Sequence, residues 1–345
     1  EGKMIKFVKN KYFNWIISLI TLIILVACSS NQTLIRDNSA NIDKIRIAYM
    51  PNFASLHDII TGINSGIFKE EGLEVELIEF ADGPTIIASL ESGSIDIGNI
   101  GPGAHKLAIE GRAEVVAFSQ LGNADELIAR SDRGIDSIKD LRGKKIGTAS
   151  GTSAETILKL ALLDANLSEK DVEIIDMDAS AIVTAMLSGS IDVAATWSPN
   201  TTLIKRELKE KVVVLADNSR YRDQSPAIAS YVTFPGYSEK NNEKISKFLK
   251  GLYRAMDYRA EHMKEVSKWV ATQIGSDITA VQDQLQDGEW LTSRQMIQLI
   301  NTGILQQYYE KQQKNLIVSG IVDISRNINE YVLIDQMSSI LKEIK

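Results

Sequence analysis

The pentapeptide Ser-Gly-Ser-Ile-Asp occurs twice in this chain, at 92–96 and again at 188–192. In each copy the glycine stands where helices commonly end, and the Ile-Asp pair begins a short apolar stretch. We interpret both copies as a junction at which a helix gives way, through a glycine turn, to a buried strand. Because the segments around them repeat the same order of strands and helices, the chain is predicted to contain two similarly built lobes.

Apolar segments of strand length alternate with helical segments along most of the chain after residue 44. This order predicts an α/β fold in which each lobe is a mostly parallel sheet flanked by helices. One more strand at 229–234 is followed by an almost entirely helical region at 239–314. A folded part of about 300 residues exceeds what one core usually holds, which also favours two lobes. The other predicted strands lie at 45–50, 73–80, 95–97, 115–121, 144–149, 172–177, 191–196 and 212–217.

The N-terminal segment has the pattern of an export signal. Four lysines precede an apolar run at 16–27, which is shorter than the roughly 20 residues of a membrane-spanning helix. The run ends in Leu-Val-Ala-Cys, which resembles the lipobox of bacterial lipoproteins, so Cys28 is the predicted lipidation site. We assign 1–27 to a signal peptide, with 1–3 either added residues or the result of a misplaced start before Met4. Cys28 is the only cysteine, so no internal disulfide is expected.

Residues 28–43 are polar and lack periodicity, which is typical of a flexible tether between a lipid anchor and a folded domain. The predicted location is therefore the cell membrane, lipid-anchored, on its extracytoplasmic face. The whole chain carries a formal net charge of −7, and removing the lysine-rich signal segment makes the remainder more acidic. A nucleic-acid partner, which would need a basic patch, is not expected.

The predicted strands run into loops that are rich in Gly, Ser, Thr, Asn and Pro, and most of these loops open a helix. Ligands of open α/β sheets bind beyond the carboxyl ends of the strands. Helix N-termini at this edge offer free N–H groups and a partial positive charge, which suit an anion. The loops contain almost no cations, Lys106 being the nearest, so backbone groups are expected to hold the ligand. Thr152 to Glu155 is interpreted as a capping box at one of these helices.

Two histidines, His57 and His105, lie in these loops. Zinc sites normally need three or four protein ligands at matched spacing, and the third histidine, His262, lies in a distant predicted helix. We therefore predict no metal and no cofactor, and a hydrogen bond from either histidine to the ligand is the alternative. The common hydrolase, nucleotide-binding and zinc-protease motifs do not occur in the sequence, so no catalytic residue is predicted.

Four longer stretches resemble the solute-binding proteins of ABC importers, and more narrowly the group that binds aliphatic sulfonates, taurine and nitrate. The stretches are EFADGPTIIASLESGSIDIGNIGPGAHKLAIEG (79–111), SIKDLRGKKIGTASGTSAETILKLAL (137–162), AIVTAMLSGSIDVAATWSPN (181–200) and LIVSGIVDISRNINEYV (316–332). The resemblance implies a two-lobed periplasmic-binding-protein type II fold whose lobes close on a hinge around the ligand. Lobe 1 would consist of 44–127 and 229–345, and lobe 2 of 128–228.

Transferred by position, the resemblance implies a ligand site built from both lobes. The implied partners are a small organic anion, such as an aliphatic sulfonate, and the permease of the cognate ABC importer. The lipid anchor would attach the protein to the membrane, and the protein would be a monomer. Sulfonate binders often carry an acidic residue between the Trp and Pro of the second lobe, where this chain has Ser198. The expected ligand-binding residues are Asn52, Phe53, Ser55, His57, Gly83, Pro84, Asn99, Gly101, Gly103, Thr152, Ser153, Asp178, Trp197, Ser198 and Tyr231.

Two alternatives to a sulfonate binder stay open. A binder of a thiamine-pyrimidine precursor would keep the fold and the transport role, and its ring would need aromatic partners such as Phe53, Trp197 or Tyr231. An enzyme is the second alternative, because the resemblance extends to thiamine-pyrimidine synthases. Those enzymes look rich in cysteine near the site, whereas this chain has only Cys28 and an export signal. We therefore predict a binding protein and not an enzyme.

Overall fold

The computed structural model describes residues 42–344. The predicted signal peptide, the lipidation site Cys28 and the predicted tether up to residue 41 lie outside the described residues. Among the helices of residues 42–344, none combines the length and the apolar character that crossing a membrane requires.

Strands and helices alternate along the described chain as far as residue 233. The strands are β1 (Asp43–Tyr49), β2 (Leu73–Glu79), β3 (Ile97–Ile100), β4 (Glu114–Gly122), β5 (Asp125–Arg130), β6 (Lys145–Thr148), β7 (Glu173–Asp176), β8 (Val193–Trp197), β9 (Val212–Asp217), β10 (Ile228–Thr233) and β11 (Gly288–Glu289). The helices are α1 (Phe53–Asn64), α2 (Ile67–Glu70), α3 (Gly83–Glu91), α4 (His105–Ile109), α5 (Ser153–Asp164), α6 (Ala179–Ser188), α7 (Asn200–Leu208), α8 (Asn218–Tyr221), α9 (Tyr237–Lys240), α10 (Asn242–Glu261), α11 (Met263–Ile274), α12 (Ile278–Gln282), α13 (Ser293–Asn301), α14 (Ile304–Val318) and α15 (Ile334–Glu343).

Two mixed sheets organise these elements. The first has the strand order β11-β4-β10-β3-β1-β2, in which β1 pairs in parallel with both β2 and β3. The second has the order β7-β6-β8-β5-β9, in which β6 pairs in parallel with both β7 and β8. Strands β5 and β10 run antiparallel to both of their neighbours. The predicted two-lobed α/β fold is confirmed, and the antiparallel strands are those that follow each change of sheet.

The chain changes sheet twice. It leaves the first sheet at the end of β4, at Gly122, and enters the second at the start of β5, at Asp125. It returns through the segment between α8 and β10. The predicted boundary after residue 127 therefore falls inside β5. The short strand β11 also pairs with the end of β4, with Gly288 opposite Gly122, so the C-terminal region is attached beside the first crossing.

Both copies of the repeated pentapeptide have the same structure. Helices α3 and α6 each end in a left-handed glycine, Gly93 with φ 72° and Gly189 with φ 77°, and a strand follows. The aspartate of the first copy, Asp96, accepts a hydrogen bond of 2.8 Å from the backbone N–H of Arg46 in β1. In the second copy Asp192 accepts one of 2.9 Å from the backbone N–H of Lys145 in β6. In both copies the carboxylate therefore ties the start of the following strand to the neighbouring parallel strand.

Apolar side chains cover both faces of the second sheet, as its fold class requires. Alternate residues of β5 point to opposite sides, so Leu127 and Ala129 pack against α5 and Ile128 packs against α6 and α7. The first sheet has one large core, to which β1, β3, β4 and β10 all contribute. These cores hold the two sheets in place, and the loops that follow the carboxyl ends of their parallel strands meet between the lobes.

Candidate functional site

A cavity of about 80 Å³ lies between the two sheets, at the carboxyl ends of their parallel strands. It is lined by loops of both lobes, as the sequence analysis expects of a ligand site. A water molecule needs roughly 10–15 Å³ on this scale, so the cavity holds roughly five to eight water-sized groups. The expected ligand-binding residues that line it are Asn52, Ser55, Gly83, Pro84, Asn99, Gly101, Thr152, Ser153, Trp197 and Ser198.

The lobes touch one another beside the cavity. Gly103 of the first lobe lies against the backbone of Thr152 and Ser153 in the second, so closely that an added Cβ would overlap both residues. A second contact brings Gly151 close to Pro84 and to the Nζ atom of Lys106. Gly103 does not line the cavity. Its missing side chain instead lets the lobes come together, and a ligand in the cavity would be enclosed.

Three of the longer helices begin at the cavity, and they differ in how their N-termini are capped. Asn52 accepts a hydrogen bond of 2.8 Å from the N–H of Ser55 in α1. Asp82 accepts one of 2.9 Å from the N–H of Thr85 in α3. The first turn of α5 has no such side-chain acceptor, because the hydroxyl of Thr152 donates to Ala149 instead. The N–H groups of this turn are therefore open to an acceptor from a ligand.

The capping box expected from Thr152 to Glu155 is wrong. Thr152 makes no capping hydrogen bond, and the carboxylate of Glu155 accepts the backbone N–H of Gly151 at 2.6 Å. Glu155 also pairs with Lys159, whose Nζ lies 3.2 Å from it. The carboxylate of Glu155 therefore caps none of the N–H groups in the first turn of α5, which stay without a side-chain acceptor.

Two buried carboxylates that the sequence did not indicate as site residues also line the cavity. Asp125 is 3% exposed and Asp287 is 9% exposed. Burial raises the pKa of Asp125 to about 6, although hydrogen bonds from Ser153 and Asn218 oppose the rise. Burial likewise raises the pKa of Asp287 to about 6, against a lowering influence of the neighbouring hydroxyl of Ser198. The cavity is therefore acidic on one side.

The cations next to these carboxylates are paired with other acids. Lys205 Nζ lies 2.9 Å from Glu126, which follows Asp125 directly. Arg222 pairs with Glu289, two residues beyond Asp287. Among residues 42–344, no Lys, Arg or His side chain lines the cavity. Neutral groups such as Gln120 and Gln284 complete its polar surface.

Ser198 and Trp197 form the wall contributed by the end of β8. The hydroxyl of Ser198 is buried and completes no hydrogen bond with any described residue. The sulfonate binders that the chain resembles often carry an acidic residue at this position, where this chain has Ser198. The acid at this place in the structure is Asp287, which comes from the other lobe and lies near Ser198.

His57 lies away from the cavity, contrary to expectation. Residues of a helix follow one another at about 100°, so His57 points roughly 200° away from Ser55, which lines the cavity. Its ring is fully buried between Phe53 and Trp290, with centroid distances of 5.5 Å and 4.8 Å. Phe53 is likewise fully buried in the core. Burial lowers the pKa of His57, whose Nδ1 lies 2.9 Å from Asp58.

Tyr231 and Asp178 are not among the residues that line the cavity either. Tyr231 is fully buried inside the first lobe, where its ring packs edge-on against Phe248 at 5.8 Å. Asp178 is exposed at the start of α6 and makes no capping hydrogen bond. His105 is also buried, with Nε2 2.9 Å from Ser230, and burial lowers its pKa to about 4.

The positions of the missed residues explain why the sequence did not show them. Asp125 stands directly after the crossing between the lobes, a place with no recognisable motif. Gln284 and Asp287 belong to the mainly helical C-terminal region, far in sequence from every other part of the site. Gln284 also anchors α1, because its Oε1 accepts the N–H of Phe53 at 2.8 Å. Within residues 42–344 there is no group of three or more His, Cys, Asp or Glu placed to hold a metal ion.

Comparison with known proteins identifies a family and several relatives of this chain. A family model described as NMT1/THI5 like matches residues 53–266. A provisionally named binding protein of Brucella abortus is 28% identical over 295 residues, which cover 86% of this chain and 92% of that protein. The taurine-binding periplasmic protein of Escherichia coli is 27% identical, over 59% of this chain and 62% of its own length. A provisionally named thiamine biosynthesis protein of Haemophilus influenzae is 26% identical, over 60% and 66%.

Solved structures show the same fold at lower identity. The alkanesulfonate-binding protein SsuA from Xanthomonas axonopodis pv. citri, bound to MOPS, superposes with a TM-score of 0.64 at 17% identity, covering 84% of this chain and 97% of that one. The desulfurization enzyme DSZB superposes with a TM-score of 0.58 at 14% identity, covering 87% and 99%. The chain belongs to the NMT1/THI5-like family and has the two-lobed fold of type II periplasmic binding proteins.

Proposed function

We propose that this protein is the extracytoplasmic, lipid-anchored solute-binding component of an ABC importer, and that it binds an aliphatic sulfonate or a similar small organic anion. The observation that carries the proposal is the cavity between the lobes, which is lined from both sides and bordered by the contact of Gly103 with the second lobe. A site of this kind captures a solute by closure and releases it on opening. The names of the taurine-binding and alkanesulfonate-binding proteins support the ligand class.

The uncapped first turn of α5 is the place that suits the anionic group. Its N–H groups have no side-chain acceptor, and the unpartnered hydroxyl of Ser198 lines the same cavity. A helix N-terminus contributes about 0.3–1 kcal/mol to an anion at a surface and up to about 2 kcal/mol when partly buried. The cavity, with a volume of about 80 Å³, has room for a compact ligand of this type.

A precursor of the thiamine pyrimidine is the second candidate ligand. The carboxylates of Asp125 and Asp287 accept hydrogen bonds from an aminopyrimidine, and the side chain of Trp197 offers a flat surface to its ring. The Haemophilus relative supports this candidate by its name. An enzyme on this fold remains the third possibility, which the names of the binding-protein relatives disfavour.

A thermal-shift panel on a form that starts at Ser29 tests the proposal. The panel contains taurine, ethanesulfonate, an aryl sulfonate, nitrate and hydroxymethylpyrimidine. A ligand at 100 times its Kd stabilises the protein by about 2.7 kcal/mol, which raises the Tm by several degrees. Stabilisation by sulfonates supports the proposal. Stabilisation by the pyrimidine alone would show that the ligand is a pyrimidine and not a sulfonate. If mass spectrometry detects chemical conversion of the bound compound, the protein is an enzyme.

A further inference from the structure

We propose that Asp287, together with Asp125, forms a subsite for a positively charged or N–H-rich amino group, so that the ligand of this protein bears an amine. The inference rests on the proposed function and narrows it from organic anions in general to aminosulfonates and related zwitterions. The amine subsite adjoins the anion site at α5, because the hydroxyl of Ser153, the first residue of α5, donates to Asp125.

The backbone holds Asp287 firmly at the edge of the cavity. Its carbonyl oxygen accepts the N–H of Asn123, in the crossing between the lobes, at 2.6 Å, and its own N–H donates to Gln284 at 3.0 Å. The next two residues pair with the end of β4 as β11. These bonds fix the backbone of Asp287, and its side chain lies on the cavity wall, which Ser198 also lines.

Asp125 approaches from the other lobe and is held by neutral groups. The hydroxyl of Ser153 donates to its Oδ1, and Nδ2 of Asn218 donates to its Oδ2 at 3.0 Å. Oδ1 of Asn218 in turn accepts the backbone N–H of Asp125 at 2.8 Å. These bonds orient the carboxylate, but they leave its charge without an opposite charge.

Buried carboxylates normally have a cation or a metal as a partner. The described residues supply neither here, because Lys205 and Arg222 are committed to Glu126 and Glu289. A simple alkanesulfonate would add a further negative charge to the cavity. An ammonium group on the ligand would instead compensate the two acids, while the sulfonate of the same molecule faces the N–H groups of α5.

Isothermal titration calorimetry at pH 7.5 tests whether the two aspartates bind an amino group of the ligand, with two probes of nearly equal size. Taurine carries an ammonium group where isethionate carries a hydroxyl group. We expect the wild-type protein to bind taurine at least 30-fold more tightly than isethionate. Asp287→Asn should weaken taurine at least tenfold and leave isethionate unchanged or tighter. Asp323→Asn replaces an exposed aspartate of the same lobe and should leave both affinities unchanged.

The outcomes separate this inference from the proposed function. Equal affinities for taurine and isethionate in the wild type, or an equal loss of both in Asp287→Asn, would overturn the amine subsite and keep the sulfonate site. Binding of hydroxymethylpyrimidine alone, weakened by Asp287→Asn, would overturn the sulfonate site and support the amine subsite. If neither taurine nor the pyrimidine binds the wild type, the amine subsite is wrong. Circular dichroism confirms that each variant is folded.

Discussion

Replacement of Asp287 by Asn should stabilise the ligand-free protein at neutral pH. Burial raises the pKa of Asp287 to about 6 from the ordinary value of 3.8, and Glu126 adds to the rise while Ser198 and Lys205 oppose it. Well below pH 3.8 the group is protonated in both the folded and the unfolded state. As the pH rises towards 6, the unfolded chain ionises first and the free energy of unfolding falls. The difference of roughly two pKa units corresponds to about 3 kcal/mol as an upper value.

Urea denaturation of the wild type and of Asp287→Asn between pH 4 and pH 8 measures this effect. The variant has no charge to bury, so its advantage in unfolding free energy should be small at pH 4, at about 0.5 kcal/mol. It should grow towards pH 6 and then level off at up to about 3 kcal/mol. The other carboxylates titrate in both proteins, and their effects largely cancel in the difference.

The matched control is Asp323→Asn, because Asp323 is exposed. Its unfolding free energy should follow that of the wild type within about 0.5 kcal/mol at every pH. A constant difference between Asp287→Asn and the wild type, or a variant less stable than the wild type at pH 8, would refute the reasoning. Either result would mean that a cation compensates Asp287 in the ligand-free protein.

Three further substitutions separate closure, ligand contact and stability. Gly103→Ala places a Cβ against the backbone of Thr152 and should weaken ligand binding at least tenfold by titration calorimetry, while circular dichroism stays native. Trp197→Ala removes a wall of the cavity and should also lower affinity about tenfold while circular dichroism stays native; an unchanged Kd would remove Trp197 from the site. Asp58→Ala leaves the guanidinium of Arg259 buried without its partner at 2.7 Å, so unfolding should become easier by about 3–5 kcal/mol, with no effect on Kd.

The parts of the site that the sequence shows are those that follow a strand directly. Asn52 and Thr152 each stand in a loop after a parallel strand, and Gly83 begins the helix that follows such a loop; parallel strands bring these loops to one edge. The repeated pentapeptide is informative for a related reason, because a helix end, a left-handed glycine and a strand start are all local features. Asn99 shows that a site residue need not follow a strand, because it lies inside β3 and still lines the cavity.

The errors at His57 and Asp287 have different causes. His57 was assigned to a loop, but α1 begins at Phe53, so helical geometry turns the imidazole into the core. Correct placement of the helix start would have excluded it. Asp287 could not have been found by such an argument. Its position depends on how β11, a strand of two residues, pairs with β4, and that pairing leaves no pattern in the sequence.

The two aspartates also connect ligand recognition with closure. Asp125 begins the second sheet, whereas Asp287 is attached to the first beside the crossing, so an amino group bound by both would join the lobes. When the lobes are closed without a ligand, both carboxylates are buried and uncompensated, which lowers the stability of this closed form. A ligand shifts the equilibrium between open and closed forms only by its differential affinity for the two forms. An amine that offsets the cost of burying these acids supplies that difference, whereas an anion held at α5 alone does not.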